Sequence, residues 1–131
     1  MNAELRYLTL VSMLTGLLWV PYILNEIMVR GLVDAVGYPE NPKPLAKWAQ
    51  RLKSAHYNAV ENLVVFAALV LVAELAGVHT AALATAAMFY FWARVVHAAA
   101  YTLAIPWLRT AAFVVGAVMY LWIGCEILRA A

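Results

Sequence analysis

Charge is the first thing this sequence lacks: only 12% of its 131 residues are Asp, Glu, Lys or Arg, and the formal net charge is +2. Such a small excess of positive charge argues against nucleic acid as a partner. Cysteine is almost absent as well, and a single residue, Cys125, excludes a disulfide within the chain. We interpret Cys125 as a buried structural thiol, the usual state of a free cysteine in apolar surroundings.

Apolar residues dominate the composition instead. Hydrophobic residues make up 66% of the chain and the mean hydropathy is +0.81, values typical of a multi-pass membrane protein. Several apolar runs are long enough to cross the roughly 30 Å hydrocarbon core as helices. We predict one all-α integral membrane domain over residues 1–131, folded as a bundle of four transmembrane helices. The predicted spans are about 8–30, 55–76, 80–104 and 107–128.

Proline and glycine residues indicate where these spans bend, begin and end. Pro21 is expected to kink the first span, because it removes one helical hydrogen bond. A short turn around Gly77 should join the second and third spans as an antiparallel hairpin. Pro106 is suited to the first turn of the fourth span. We expect the first span to be an uncleaved anchor, since no convincing cleavage site precedes its polar end.

Residues 31–53 form the one substantial loop that the pattern predicts, and they contain three prolines in 39–44. Basic residues outnumber acidic ones there, so the positive-inside rule puts this loop in the cytoplasm and both termini on the opposite side. The compact length and the lack of a targeting signal fit a bacterial inner membrane.

Polar residues interrupt the third span at helical spacing. Arg94, His97 and Tyr101 fall at i, i+3 and i+7 and share one face. A charge at bilayer depth costs roughly 2.5 to 3.5 kcal/mol, so Arg94 needs partners or a wet cavity. Counted from the turn at Gly77, Glu61 lies at almost the same depth, and we expect it to be the partner of Arg94.

The same count brings Asn58 level with His97 and Ser54 level with Tyr101. Two polar faces should therefore meet inside the membrane, which favours a functional site over simple packing.

Two arginines near span ends allow two interpretations each. Arg30 either forms a local salt bridge with Glu26, four residues earlier, or points into a shared polar site. Arg109 is either an interface arginine that extends toward the headgroups or a member of that site.

Three motifs together resemble the MAPEG family, the membrane-associated proteins of eicosanoid and glutathione metabolism. They are Arg51-x4-His56-x-Asn58-x2-Glu61, Arg94-x2-His97-x3-Tyr101 and Pro106-x2-Arg109-Thr110. The resemblance runs from the first span to the start of the fourth. Each motif alone would be weak, but their combination in four spans is fairly specific.

The resemblance implies a homotrimer that binds glutathione between neighbouring subunits, near the cytoplasmic side. It implies that Arg109 lies beside the glutathione sulfur, with the Thr110 hydroxyl near it. The implied glutathione-binding and supporting residues are Arg30, Arg51, His56, Asn58, Glu61, Arg94, His97 and Tyr101. No metal site is predicted. The expected activity is that of a membrane-bound glutathione transferase or glutathione-dependent peroxidase, acting on hydrophobic electrophiles or lipid hydroperoxides dissolved in membrane lipid.

The sequence also departs from the family pattern. Tyr57 stands where several relatives have a basic residue, and Phe113 stands where some have a tyrosine one turn beyond the arginine. The linker from Tyr101 to Arg109 is a residue shorter than in the prostaglandin synthase of the family, so that substrate is not predicted. Two alternatives stay open: a non-enzymatic trimeric scaffold or lipid-binding protein of the same fold, and a b-type haem protein with His56 and His97 as axial ligands.

Overall fold

The computed structural model describes all residues, 1–131, and the chain is entirely helical. Its helices are α1 (Ala3–Leu17), α2 (Trp19–Arg30), α3 (Leu32–Val36), α4 (Lys47–Leu75), α5 (Ala81–Thr102) and α6 (Pro106–Ala130). Four segments are long and apolar enough to span a membrane, with α1 and α2 together forming the first. The prediction of four spans is therefore confirmed, although the first helix begins earlier than expected, at Ala3.

The first span is interrupted at Leu18, where α1 ends and α2 begins. Pro21 explains the interruption, because it has no N–H to donate to the carbonyl of Leu17 and its ring crowds that carbonyl. The amide of Leu18 bonds the Thr15 carbonyl at 3.4 Å, three residues back. The sequence predicted a kink at Pro21, and the structure has an interruption of one residue, Leu18.

The second helix begins at Lys47, and the predicted loop over 31–53 is wrong at both ends. Its first residues form the short helix α3, and its last residues are the opening turns of α4. Ala49, Leu52 and Ala55 are buried at helical spacing, so these turns pack although basic residues flank them. The Asn25 side chain accepts a hydrogen bond from the Ala46 N–H at 3.0 Å and so satisfies a free amide at the start of the helix.

The hairpin between α4 and α5 has the predicted turn and nearly the predicted register. The Phe66 and Tyr90 rings stack with centroids 3.9 Å apart, within one residue of the pairing that counting from Gly77 predicts. This stack lies in the main core, to which α1 contributes Val11 and α6 contributes Ile123. Helix α5 packs most extensively against α6, so it is the central element of the bundle.

The turn between α5 and α6 is tight because Ala104 adopts a left-handed backbone conformation, with φ of 59°. The Ile105 amide bonds the Ala100 carbonyl, and the Ala104 amide bonds that of Tyr101, as in a Schellman motif. Glycine usually occupies this position, because a Cβ is strained there. Pro106 then opens α6, as predicted.

Cys125 is exposed on α6, which corrects the expectation of a buried thiol. The core-facing positions of that part of the helix are Ile123 and Ile127, two residues to either side. Residues two apart on a helix point to different faces, so Cys125 faces outward.

Candidate ligand-binding site

Three of the predicted site residues surround one cavity at the end of the bundle where α4 and α6 begin and α5 ends. Arg51, Tyr101 and Arg109 line it together with Ala100, Ala104, Ile105 and Pro106. Its volume is about 190 Å³. Six of the seven lining residues lie within 100–109, and the up-and-down order of the helices brings Arg51 of α4 to them.

Hydrogen bonding and ring contact fix the three side chains. The Arg51 Nε donates to the Thr102 carbonyl at 2.9 Å, which places a positive charge on the free carbonyls at the end of α5. The Arg109 guanidinium carbon lies 4.8 Å from the centre of the Tyr101 ring, within the range of a cation–π contact. His97 packs edge-on against the same tyrosine, with ring centroids 5.6 Å apart.

A second, more open space adjoins the cavity and shares Arg51 and Tyr101 with it. Its volume is about 350 Å³, and Lys47, Gln50 and Ser54 complete its lining. We call this space the polar groove and the first one the apolar cavity. Ser54 was predicted to lie level with Tyr101, and the two share this groove.

Behind the cavity, Arg94 is enclosed in a hydrogen-bonded network. Only 3% of its surface is exposed. Its guanidinium donates to Asn58 Oδ1 at 2.7 Å and lies 3.3 Å from His97 Nδ1. Asn62 donates to the Asn58 backbone carbonyl at 2.9 Å. The buried charge therefore joins α4 to α5 through neutral acceptors only.

The expected pairing of Arg94 with Glu61 is wrong. Glu61 lies halfway along α4 and is exposed, and it forms no ion pair in the chain. The depth count was sound, but Glu61 is rotated away from the bundle, because its neighbour Asn62 faces inward. One residue turns a helix by about 100°, so the two cannot share a face.

His56 lies apart from this network. Its Nδ1 is 2.7 Å from the Tyr22 hydroxyl, so it fastens α4 to α2. His97 instead contacts Arg94 and Tyr101 on α5. The two histidines have separate sets of neighbours, and the haem alternative therefore finds no support in the structure.

Two further predicted site residues are engaged locally. Arg30 bonds Glu26 Oε1 at 2.5 Å and the Lys43 carbonyl at 2.7 Å, which is the salt bridge of the first interpretation plus a brace for the following segment. It lines a small separate space of about 120 Å³, away from the apolar cavity. The Thr110 hydroxyl donates to the Pro106 carbonyl within its own helix at 3.0 Å and does not line the cavity.

Lys47 and Gln50 were not identified as site residues from the sequence. The signal was present, since Lys47, Gln50, Arg51 and Ser54 recur at i, i+3, i+4 and i+7. Assigning 31–53 to a loop hid this helical face.

A comparison with protein-family profiles matches residues 8–128 to the MAPEG family. Searches of curated proteins and of solved structures found no match to this chain. The family includes glutathione transferases and related enzymes, and some of its members are not enzymes. The match covers nearly all of the sequence and agrees with the four membrane-length helices. The chain belongs to the MAPEG family.

Proposed function

We propose that this protein is a membrane-bound glutathione transferase or glutathione-dependent peroxidase, which activates the glutathione thiol for attack on hydrophobic substrates. The observation that supports this most is the meeting of Arg51, Tyr101 and Arg109 around one cavity. Neither a lipid-facing surface nor a plain helical bundle requires two guanidinium groups and a phenol at one place.

Arg109 is the proposed activating group. A free thiol has a pKa near 8.5 and is mostly protonated at neutral pH, whereas a fixed cation lowers that pKa and raises the thiolate fraction. A guanidinium keeps its charge and can donate hydrogen bonds to sulfur. Its position over the Tyr101 ring holds it at the cavity wall, so little rearrangement is needed when the thiolate forms.

The polar groove is the proposed seat of the glutathione backbone. Glutathione carries two carboxylates and an ammonium group, and the groove offers Lys47 and Arg51 for the former and the Gln50 and Ser54 side chains for hydrogen bonds. Tyr101 borders both spaces, so the sulfur would lie beside it. Arg94, Asn58 and His97 act in this proposal by holding α4 and α5 together behind the ligand.

Glu61 supports a homotrimer with the site completed between subunits. An exposed carboxylate halfway along a membrane-length helix is costly unless something faces it. A neighbouring subunit covering this face could bring the glutathione ammonium or a basic side chain to Glu61. Arg30, which is braced outside the apolar cavity, would then serve a neighbour's ligand rather than that of its own subunit.

Two reactions of the thiolate fit the proposal. Attack on an electrophilic carbon forms a carbon–sulfur bond and releases the leaving group with its electron pair. Attack on a peroxide oxygen reduces the peroxide to an alcohol and oxidises the sulfur, which a second glutathione then converts to the disulfide with loss of water. In either case we propose that glutathione enters from the cytoplasm and the apolar substrate from the bilayer.

The test measures thiolate formation in the detergent-purified protein. Glutathione is added, and the thiolate is detected by its ultraviolet difference absorbance. We expect a thiolate signal in the wild type and none in Arg109→Ala. Arg129→Ala is the matched control, because Arg129 lies at the other end of the same helix and is exposed. Equal signals in the wild type and Arg109→Ala would remove Arg109 from the mechanism.

A scaffold without enzymatic activity is the second candidate. The hydrogen bonds of Arg94 to Asn58 and of Tyr22 to His56 favour it, since both lock helices together inside the protomer. Titration calorimetry with glutathione separates the two, because a scaffold should show no heat of binding.

A further inference from the structure

The short helix α3 carries apolar side chains that nothing in the protomer covers. Leu32, Val33 and Val36 are 62%, 81% and 73% exposed, and no residue of α3 is buried. One residue turns a helix by about 100°, so these three side chains lie within one sector of about 100°. Asp34 lies on the opposite side and lines the small polar space beside Lys43. The helix is therefore amphipathic, and its apolar side faces outward.

Two hydrogen bonds hold the segment around α3 against the first span. The Arg30 side chain donates to the Lys43 carbonyl at 2.7 Å, and the Asn25 side chain accepts from the Ala46 N–H at 3.0 Å. Gly31, with φ of 80°, turns the chain between α2 and α3. The polar contacts thus lie on the inner side of the segment, and the apolar side chains of α3 are left on the outer side.

The length of the first span puts α3 at the level of the lipid headgroups. Ala3–Arg30 comprise 28 residues, which is about 42 Å of helix at about 1.5 Å per residue. A bilayer with its headgroups is about 40–45 Å thick. Trp48 and Trp107 are exposed in the first turns of α4 and α6, at the same end of the bundle, and exposed tryptophan is typical of the membrane interface. Since α3 begins at Leu32, it starts where the span leaves the hydrocarbon.

The exposed apolar surface of α3 follows directly on that of α2. Leu24 and Met28 are exposed one helical turn apart on α2, and Leu32 comes four residues later. Because α2 belongs to a membrane-length segment, lipid is the medium beside Leu24 and Met28. The same lipid is therefore the nearest occupant for the apolar side of α3.

We propose that α3 is an interfacial anchor, which lies along the membrane surface with Leu32, Val33 and Val36 inserted among the phospholipid headgroups and upper acyl chains. Interfacial helices bury their apolar face about 5–10 Å deep at this boundary. Tyr38 is fully exposed two residues after α3, and its ring suits the same level. The anchor holds the segment that leads into α4. It does not depend on the proposed function.

The experiment measures the depth of α3 by fluorescence quenching. The reporter is Val33→Cys in a Cys125→Ser background, because Cys125 is the only cysteine of the chain. The full-length protein is labelled with nitrobenzoxadiazole and placed in phosphatidylcholine nanodiscs. One quencher is a phosphatidylcholine with a nitroxide near the top of its acyl chain, and the other is iodide in water. Glu40→Cys in the same background is the control, because Glu40 is exposed in the same segment.

We expect the lipid nitroxide to remove most of the emission at position 33 and little at position 40, and iodide to do the reverse. Because an apolar label could pull its own residue into the lipid, a second variant tests the helix itself. Leu32→Asn combined with Val36→Asn should lower the lipid quenching of the Val33→Cys reporter and raise its iodide quenching. Asp34→Asn, on the opposite side, should change neither. Both variants should fold, since no residue of α3 is buried.

Three results would overturn the anchor. Strong iodide quenching at position 33 would place α3 in water. Quenching by neither agent would show that a second copy of the chain covers the helix. Unchanged quenching after the two asparagine substitutions would show that the label, and not the apolar side of α3, seeks the lipid.

Discussion

The hydrogen bond between Arg94 and Asn58 should be one of the strongest single contacts between the membrane helices. Its length of 2.7 Å is that of a charge-assisted bond, and Asn58 is the only side-chain oxygen that Arg94 contacts. Asn58→Ala removes this acceptor and leaves a guanidinium that is 3% exposed with His97 alone at 3.3 Å. We therefore expect a marked loss of stability from the truncation of an uncharged residue.

The expected coupling energy between Asn58 and Arg94 depends on the charge of the Arg94 donor. Hydrogen bonds between membrane helices measured in double-mutant cycles average about 0.6 kcal/mol, with a maximum near 1.7 kcal/mol. Bonds to charged groups contribute about 1.5–3 kcal/mol. Asn62 keeps its bond to the backbone carbonyl of residue 58 in the alanine variant, so little else is lost. We expect a coupling energy between Asn58 and Arg94 of about 1.5 kcal/mol or more.

The measurement is a double-mutant cycle of Asn58→Ala and Arg94→Met, with reversible unfolding in mixed micelles followed by circular dichroism. Arg94→Met removes the charge but keeps an unbranched chain in the same space. Glu40→Gln is the stability control, because Glu40 is exposed in the segment before α4 and forms no ion pair. A coupling energy near the 0.6 kcal/mol average of neutral bonds would show that the charge of Arg94 adds nothing.

Five further substitutions, two matched pairs and one single change, test the packing by the sign of their effect on the thermal unfolding midpoint. Tyr90→Phe should raise the midpoint, because the buried Tyr90 hydroxyl has no partner among the protein atoms. Tyr22→Phe should lower the midpoint, because it removes a hydroxyl that is hydrogen-bonded to His56. A change of the same sign in both variants would refute the role given to the two hydroxyl groups. Ala104→Gly should stabilise the α5–α6 turn by up to about 1 kcal/mol by relieving the positive φ. Ala99→Gly, within α5, should destabilise the protein by about as much. Gly116→Ala should raise the midpoint, because alanine favours the helix and its Cβ would lie 3.7 Å from the Tyr90 ring, an ordinary van der Waals distance. A lower midpoint would contradict this spacing between α5 and α6.

The sequence allowed the spans, their order and their relative depth to be predicted, because each rests on a signal of many residues. Long apolar runs identify the helices, and a short turn at Gly77 fixes the depth of everything counted from it. The stacking of Phe66 on Tyr90 confirms that count to within one residue. The family was identified for a related reason, since several spaced motifs agree over most of the chain.

The start of α4 and the direction of Glu61 could not be predicted in the same way. Positive charge marks where a chain leaves the membrane, not where its helix begins, so Lys47 and Arg51 were assigned to a loop. Glu61 follows Asn58 at i+3, a spacing that normally keeps two residues near one face. However, residues three apart are still separated around the helix axis, and the positions of the neighbouring helices decide which of them is buried. In this bundle the neighbouring helices bury Asn62 and leave Glu61 exposed.

The separation of Arg94 from Glu61 has a consequence for how the protein assembles. Had the two paired, the protomer would have neutralised its own charges and offered neighbours an apolar surface. Instead a cation is enclosed among neutral acceptors, and a carboxylate faces outward at mid-helix with no partner of its own. Both charges are costly in an isolated protomer, and a ligand or subunit that meets the carboxylate removes part of that cost. This is the arrangement that the proposed site between copies of the chain requires, and there glutathione binding and subunit contact would stabilise one another.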